Sequence, residues 1–166
     1  MNKEMKNIEK FVSKDKMIVS KADVSGRIKY VNQEFINISG YEEIEVIGKQ
    51  HNIIRHPDMP KLIFKHLWDT LAKREEVFAY VKNRCKDGEY YWVFANVTPS
   101  IVNNKLVGYH SSRRRPNLDL VKNKIIPLYD RLLKAEKVGG ISESQKLFEQ
   151  ILKEKDLSYE EFILSL

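Results

Sequence analysis

Cysteine is nearly missing from this chain: Cys85 is the only one in 166 residues. An internal disulfide and any multi-cysteine zinc site are thereby excluded. Long apolar runs are missing too, since none approaches the length a membrane helix needs. Met1 to Asn7 is charged and is followed by no apolar signal-peptide core. These absences lead us to expect a cytoplasmic protein with no direct membrane insertion. Internal repeats, low-complexity tracts and sustained heptads do not occur. Nor do a dinucleotide fingerprint, a nucleophile–base pair or a metal-ligand constellation, so neither catalysis nor a metal is expected.

What the chain does hold is a globular composition, 42% hydrophobic and 10% aromatic, with a net charge of +6. The charge is unevenly placed. Residues 117–166 hold 8 Lys+Arg and 9 Asp+Glu, leaving 21 against 14 in residues 1–116. A basic balance suits nucleic acid or an anionic membrane. Here, however, the cations are scattered apart from Arg113-Arg114-Arg115, a short run that reads as a solvated guard at a strand's end. No nucleic-acid partner is expected, and a phosphate-bearing small ligand fits at least as well.

The densest chemistry lies in His51-Asn52-Ile53-Ile54-Arg55-His56-Pro57-Asp58-Met59-Pro60. Pro57 removes a backbone donor and biases His56 away from helical geometry. Asp58 is suited to cap the helix that follows, with Met59 and Pro60 in its first turn. The stretch reads as a rigid loop that carries polar side chains to the mouth of a site.

Around it, charged residues 2–16 with apolar Met5, Ile8, Phe11 and Val12 at helical spacing predict a short amphipathic cap. Met17 to Lys21 and Arg27 to Val31 read as a hairpin turned at Gly26. Short helices follow to Ser39-Gly40 and from Tyr41 to Val46, the second closed by Gly48. Lys61 to Lys73 is an amphipathic helix with Leu62, Ile63, Leu67 and Leu71 on its buried face. Val77 to Cys85, Glu89 to Pro99 and Lys105 to Ser112 then form a three-strand meander with turns at Asp87-Gly88 and Asn103-Asn104. The strand Tyr90 to Val97 is apolar on both faces, so both must be covered, the second by the cap, the tail or a partner. Beyond Pro116 the pattern is helical, with a kink expected at Pro127, a break at Gly139-Gly140, and capping spacings at Ser142/Gln145 and Ser158/Glu161. The fold class is α+β: a five-stranded antiparallel sheet with short helices over one face. We divide the chain into an N-terminal helical cap (1–16), a central α+β domain (17–116) and a C-terminal helical docking tail (117–166).

The run HNIIRHPDMPKLIFKHLWDTL, followed by VKNRCKDGEYYWVFANVTP and GYHSSRRRPN, resembles the FAD-binding PAS domain of the aerotaxis (Aer-type) receptors over about residues 17–116. Chain length and the tail (IIPLYDRLLKAEK.GGI, ending YEEFILSL) are most similar to the CetB-type soluble PAS proteins of bipartite energy-taxis systems. The resemblance implies a PAS fold and a noncovalently held FAD whose redox state is the signal. It also implies transmission to a separate membrane-bound methyl-accepting, HAMP-containing transducer, which would recruit the cytoplasmic protein to the inner membrane. A homodimer through the outer face of the sheet is a further expectation. Carried over by position, Arg55, His56 and Asp58 match the family's RHPD residues, Trp68 its helical Trp, Asn32 the Asn ending the second strand, and Asn83 the Asn of KNR. Cys85 departs from the pattern, because the aerotaxis version has a basic residue there. The GXNCRFLQ motif of light-sensing flavin PAS domains is absent, replaced by GKQHNIIRH.

The residues themselves support a flavin. Arg55 offers a forked donor to phosphate oxygens or a flavin carbonyl. Trp68 suits an aromatic ring plane, and Asn32 and Asn83 carry both donors and acceptors. Arg55 and His56 are expected to tune the flavin potential by their charge. Plain structural readings stand beside these: Trp68 as core, Asn32 and Asp58 as helix caps. Two other functions also stay open. Haem would use His51, His56, His66 or His110, and a ligand-free adaptor would use the pocket only as core.

Overall fold

The computed structural model describes residues 4–166. Its strands are β1 (Glu9–Lys10), β2 (Ile18–Ala22), β3 (Ile28–Val31), β4 (Val77–Arg84), β5 (Tyr90–Val102) and β6 (Lys105–Arg114). Five of them make the expected antiparallel sheet, in the order β4-β5-β6-β2-β3. Register decides which side chains meet. Val81 lies opposite Val93 and Ala79 opposite Ala95, while β6 sets Ser111 opposite Val97 and Arg113 opposite Ala95. These residues share the inner face with Ser20 and Ala22 of β2, which pair with Ser111 and Tyr109.

Helices α1 (Gln33–Ser39), α2 (Glu43–Val46) and α3 (Lys61–Ala72), with a 3-10 turn at His51–Ile54, cover that face. Their ends are set by local chemistry. Asn32 caps α1, Gly40 closes it in the left-handed conformation, and Glu42 and Glu45 form a reciprocal capping box on α2. The apolar spacing of α3 does what it predicts, burying Leu62, Ile63, Leu67 and Leu71.

The N-terminal cap is not a helix. Among the described residues of that segment, the only regular element is β1, which pairs in parallel with β5 (Glu9 opposite Tyr90, Lys10 opposite Tyr91). Residues 1–3 of the expected cap lie outside the described residues. The cause is an open sheet edge. β6 ends at Arg114, opposite Phe94, and so leaves the first residues of β5 without a neighbour on that side. The passing chain fills the gap, with the Tyr90 amide donating to the Ile8 carbonyl at 3.0 Å. It also crosses the β4–β5 turn so closely that a Cβ on Gly88 would lie 2.2 Å from the Glu4 carbonyl. Satisfying a strand's backbone outweighs a weak helical pattern.

The tail comprises α4 (Leu118–Leu120), a π-helical turn (Val121–Ile125), α5 (Ile126–Lys155) and α6 (Tyr159–Ser165). Pro127 does not split it. The wide π turn falls just ahead of the proline, which then sits in the first turn of α5, where a missing amide proton costs little. The real break is Gly139-Gly140, where Gly140 has φ 69 and ψ −162. The Ser158/Glu161 spacing forms the capping box it suggests.

The tail explains the two apolar faces of β5. Tyr129 lies 6.1 Å from Trp92 between ring centroids, and its hydroxyl donates to the Tyr80 carbonyl at 2.7 Å. The Tyr159 hydroxyl donates to the Phe78 carbonyl at 3.0 Å. β4 is an edge strand, and the tail satisfies carbonyls that would otherwise offer a template to another chain. Val121, Ile125, Leu132, Phe162 and Ile163 are buried in the process.

Candidate ligand-binding cavity

A cavity of about 170 Å³ lies between α3, the 3-10 turn and the inner face of the sheet. Its walls are mainly apolar: Ile54, Phe64, Leu67, Val81, Ala95 and Val97. Its polar lining includes Arg55, Asn83, Ser111 and Arg113 and, among the described residues, no Asp or Glu. Its mouth is aromatic. Trp68, 40% exposed, meets Tyr109 edge to face at 5.3 Å. Gly26 turns the hairpin beside the Trp68 indole at φ +79, a conformation that L side chains rarely adopt.

Three of the six sequence-predicted residues reach this cavity. Arg55 follows the 3-10 turn, where a single bridge to Asn83 ties it to β4. Its guanidinium carbon lies 3.6 Å from the Phe64 ring centroid, and its Nε is buried with no hydrogen-bond partner. Asn83 is 3% exposed on the inner face, and its Nδ2 is likewise unpartnered. Trp68 forms the rim.

The other three lie outside the cavity lining. Asn32 is fully used as a cap: Oδ1 accepts from the amides of Phe35 and Val19, and Nδ2 donates to the Met17 carbonyl. His56 and Asp58 wrap around the edge of β4 instead of lining the cavity. The His56 amide donates to the Lys82 carbonyl, its ring packs edge-on against Tyr90 at 5.8 Å, and its Nδ1 accepts from the Asp58 amide at 3.1 Å. Asp58 pairs with Lys82 at 2.8 Å. Alternation along the chain explains the split, since neighbouring residues at a bridged strand edge point to opposite sides. Arg55 turns inward, and His56 with Asp58 fastens the loop from outside.

Asp58 does not cap α3. The first amides of that helix, Lys61 and Leu62, donate to Glu136 of the tail at 3.1 and 2.9 Å. A carboxylate from a segment far along the sequence therefore seats the helix that carries the cavity wall.

Sequence reasoning missed the buried cation of the site. Arg113 is 5% exposed, not a solvated edge guard. Its Nη2 donates to Ser20 Oγ at 2.8 Å and to His51 Nε2 at 2.7 Å, while its Nη1 is buried without a partner. The signal was present in the period-2 pattern. In GYHSSRR, Tyr109, Ser111 and Arg113 fall on one face and His110, Ser112 and Arg114 on the other.

Electrostatics in the cavity follow from burial. Burial foremost, then the nearby Arg113 charge and a backbone hydrogen bond acting the other way, leave the His51 imidazole at about 3, so it is neutral near pH 7. Burial lowers Arg113 to about 10, and it remains charged. Burial and then Lys82 hold His56 below the usual histidine range, so its expected role as a charged tuner of the site fails on both position and protonation. Burial, followed by Glu160, which acts in the opposite direction, leaves His66 lowered; it faces the tail, beside Glu160 and Tyr159. Cys85 donates its thiol to the Ile38 carbonyl, and burial pushes it up to about 12, far from a reactive thiolate. Among the described residues, no group of three His, Cys, Asp or Glu is placed to hold a metal ion, and no helix is long and apolar enough to cross a membrane.

Comparison with known proteins agrees with this architecture. A family model described as the PAS fold matches residues 28–112. The aerotaxis receptor of Escherichia coli (strain K12) is 41% identical over 118 residues, which is 71% of this chain and 23% of that receptor. The chain thus spans about a quarter of the receptor's length. Among solved structures, the light state of the Aureochrome1 LOV blue-light photoreceptor covers 68% of this chain and 90% of its own, with a TM-score of 0.58 at 18% identity. A light-oxygen-voltage domain studied with a flavin analogue covers 69% of this chain and 87% of its own, with a TM-score of 0.58 at 20% identity. At such identities these structures speak to the fold alone. Taken with the sheet order and the helix-covered cavity, the matches show that the chain belongs to the PAS fold family and is related to the aerotaxis receptor.

Proposed function

We propose that this chain is a redox sensor for energy taxis that holds FAD noncovalently in the cavity and reports its redox state by protein contact. One observation carries the reading: Arg55, Asn83, Ser111 and Arg113 all line one cavity, with no Asp or Glu among its described lining residues, and each carries a buried polar atom without a partner (Nε, Nδ2, Oγ and Nη1). A buried donor left unsatisfied costs about 1–3 kcal/mol. The set therefore calls for a ligand with several acceptors on a flat apolar body. The pyrimidine edge of a flavin offers two carbonyls and ring nitrogens on such a body. Phe64, Leu67 and Val81 supply apolar walls. The ring system would enter between these walls, and the remainder of FAD would leave past Trp68 and Tyr109. A flavin bound there supplies reversible electron transfer, and the chain's own residues bind it, orient it and set its electrostatic surroundings. The relation to an aerotaxis receptor supports a redox signal.

The haem alternative lacks an available imidazole. Nε2 of His51 is engaged by Arg113 and Ser20, while His56 and His66 face away from the cavity, and His110 lies on the opposite sheet face. An empty adaptor pocket would leave four donors unsatisfied. For the output we propose contact with a separate membrane-bound methyl-accepting transducer. α3 links cavity to tail, with Trp68 and Phe64 on one face and Glu136 seating its first turn. The transducer, or a second copy of the chain, would meet the strip the tail leaves uncovered, where Phe78 and Phe94 stack at 5.8 Å beside Arg114.

Equilibrium titration of the apoprotein with FAD tests the reading. Arg55→Ala, Asn83→Ala and Trp68→Ala each lower affinity at least tenfold, about 1.4 kcal/mol, with circular dichroism unchanged. Wild-type affinity in all three would refute it.

A further inference from the structure

The Arg113 cluster is built unlike most buried arginine sites. A buried guanidinium is ordinarily paired with a carboxylate, because an uncompensated charge in a low-dielectric interior is costly. Here both partners are neutral. Ser20 Oγ and His51 Nε2 lie 2.8 and 2.7 Å from Nη2, and they lie 2.8 Å from each other, closing a three-membered set. As Nε2 accepts from the guanidinium, the imidazole proton must sit on Nδ1. Burial and the neighbouring cation keep the ring from taking a second proton. Nothing that perturbs Arg113 is a carboxylate, and the only other cation of the cavity lining, Arg55, adds to the same sign.

We propose that His51 and Ser20 are positioning residues that hold the Arg113 guanidinium at the cavity without neutralising it, so that its full charge acts on the bound group through the unpartnered Nη1. This rests on the flavin reading and deepens it. The cavity then discriminates between charge states of one ligand: the form with more negative charge at its buried edge binds more tightly. Reduction adds electron density to a flavin, so the arrangement raises the reduction potential. Had the partner been a carboxylate in place of His51, the same arginine would serve structure alone.

The test converts the neutral partner to a charged one. FAD-loaded wild type, His51→Gln and His51→Glu are compared by spectroelectrochemical titration, which gives the ratio of reduced- to oxidised-flavin affinity. His51→Gln keeps a neutral acceptor and stays within threefold of wild type. His51→Glu lowers the ratio at least tenfold, about 30 mV for a two-electron couple. Ser20→Asp approaches the same Nη2 from its other partner and shifts the ratio in the same direction, which keeps the test decisive if His51→Glu fails to fold. Wild-type ratios in the carboxylate variants, or an equal drop in His51→Gln, would overturn the inference. Absence of FAD uptake by wild type would defeat the flavin reading and the inference together, whereas uptake with unchanged ratios defeats the inference alone.

Discussion

Removing the carboxylate of Glu136 tests whether the tail is part of the sensor's working structure. The residue before α3, Pro60, provides no side-chain cap, and the amides of Lys61 and Leu62 depend on Glu136 at 3.1 and 2.9 Å. Loss of a helix N-cap costs about 1 kcal/mol, and the interaction of an anion with the positive helix end adds roughly 0.3–1 kcal/mol. Together these give a destabilisation of about 1.3–2 kcal/mol for Glu136→Ala. Glu136→Gln keeps an acceptor without the charge and should cost about half as much. For a chain of this size that is roughly a 3–8 °C fall in melting temperature for the alanine variant. Urea denaturation followed by circular dichroism measures the free energy, and limited proteolysis at Gly139-Gly140 reports whether the tail has come loose. The reasoning fails if Glu136→Ala costs less than about 0.5 kcal/mol and leaves proteolysis unchanged, since the tail would then not seat α3.

The fastening of the loop gives a contrasting prediction: Asp58→Ala, which breaks a partly exposed pair with Lys82, should lower stability by about 1 kcal/mol or less and weaken FAD binding only in proportion. Parallel denaturation and FAD titrations check this, and a loss of FAD as complete as that of Asn83→Ala, with no loss of stability, would show direct contact. Acid should destabilise the protein through His51. Its folded value of about 3 lies below the ordinary value of 6.5, so between those values the unfolded chain binds the additional proton and stability falls as pH falls. From pH 7 to pH 5 the loss is about 2 kcal/mol, and His51→Gln should remove that share of the slope in urea denaturation at both pH values. His56, held at about 4, has the same sign and contributes a comparable share that persists in His51→Gln, and the lowered His66 acts in the same direction.

Much of the fold was legible because the signals were local and strong. The meander's turns at Asp87-Gly88 and Asn103-Asn104, the helical face of α3 and the Ser158/Glu161 box each rest on a few adjacent residues. The errors arose where a distant segment supplied what the local sequence lacked. β1 forms because β6 stops short along β5. Glu136 caps α3, displacing Asp58, because the tail returns over the helix start. At the site, Arg55, Asn83 and Trp68 were legible from residue type and motif. His56 and Asp58 stood next to Arg55 in the same motif, yet a motif carries no information on which side of a strand edge each residue falls. Arg113 was obscured by its neighbours, since three consecutive arginines look like surface charge until alternation separates the inward one.

The most direct measurement of whether the cavity is a flavin site is the absorption spectrum of the purified chain, with any bound cofactor released by heat and identified by chromatography. A flavin site predicts bands in the near-ultraviolet and blue and release of FAD at about one equivalent per chain. A Soret band, or a colourless protein that takes up no FAD on reconstitution, would contradict it.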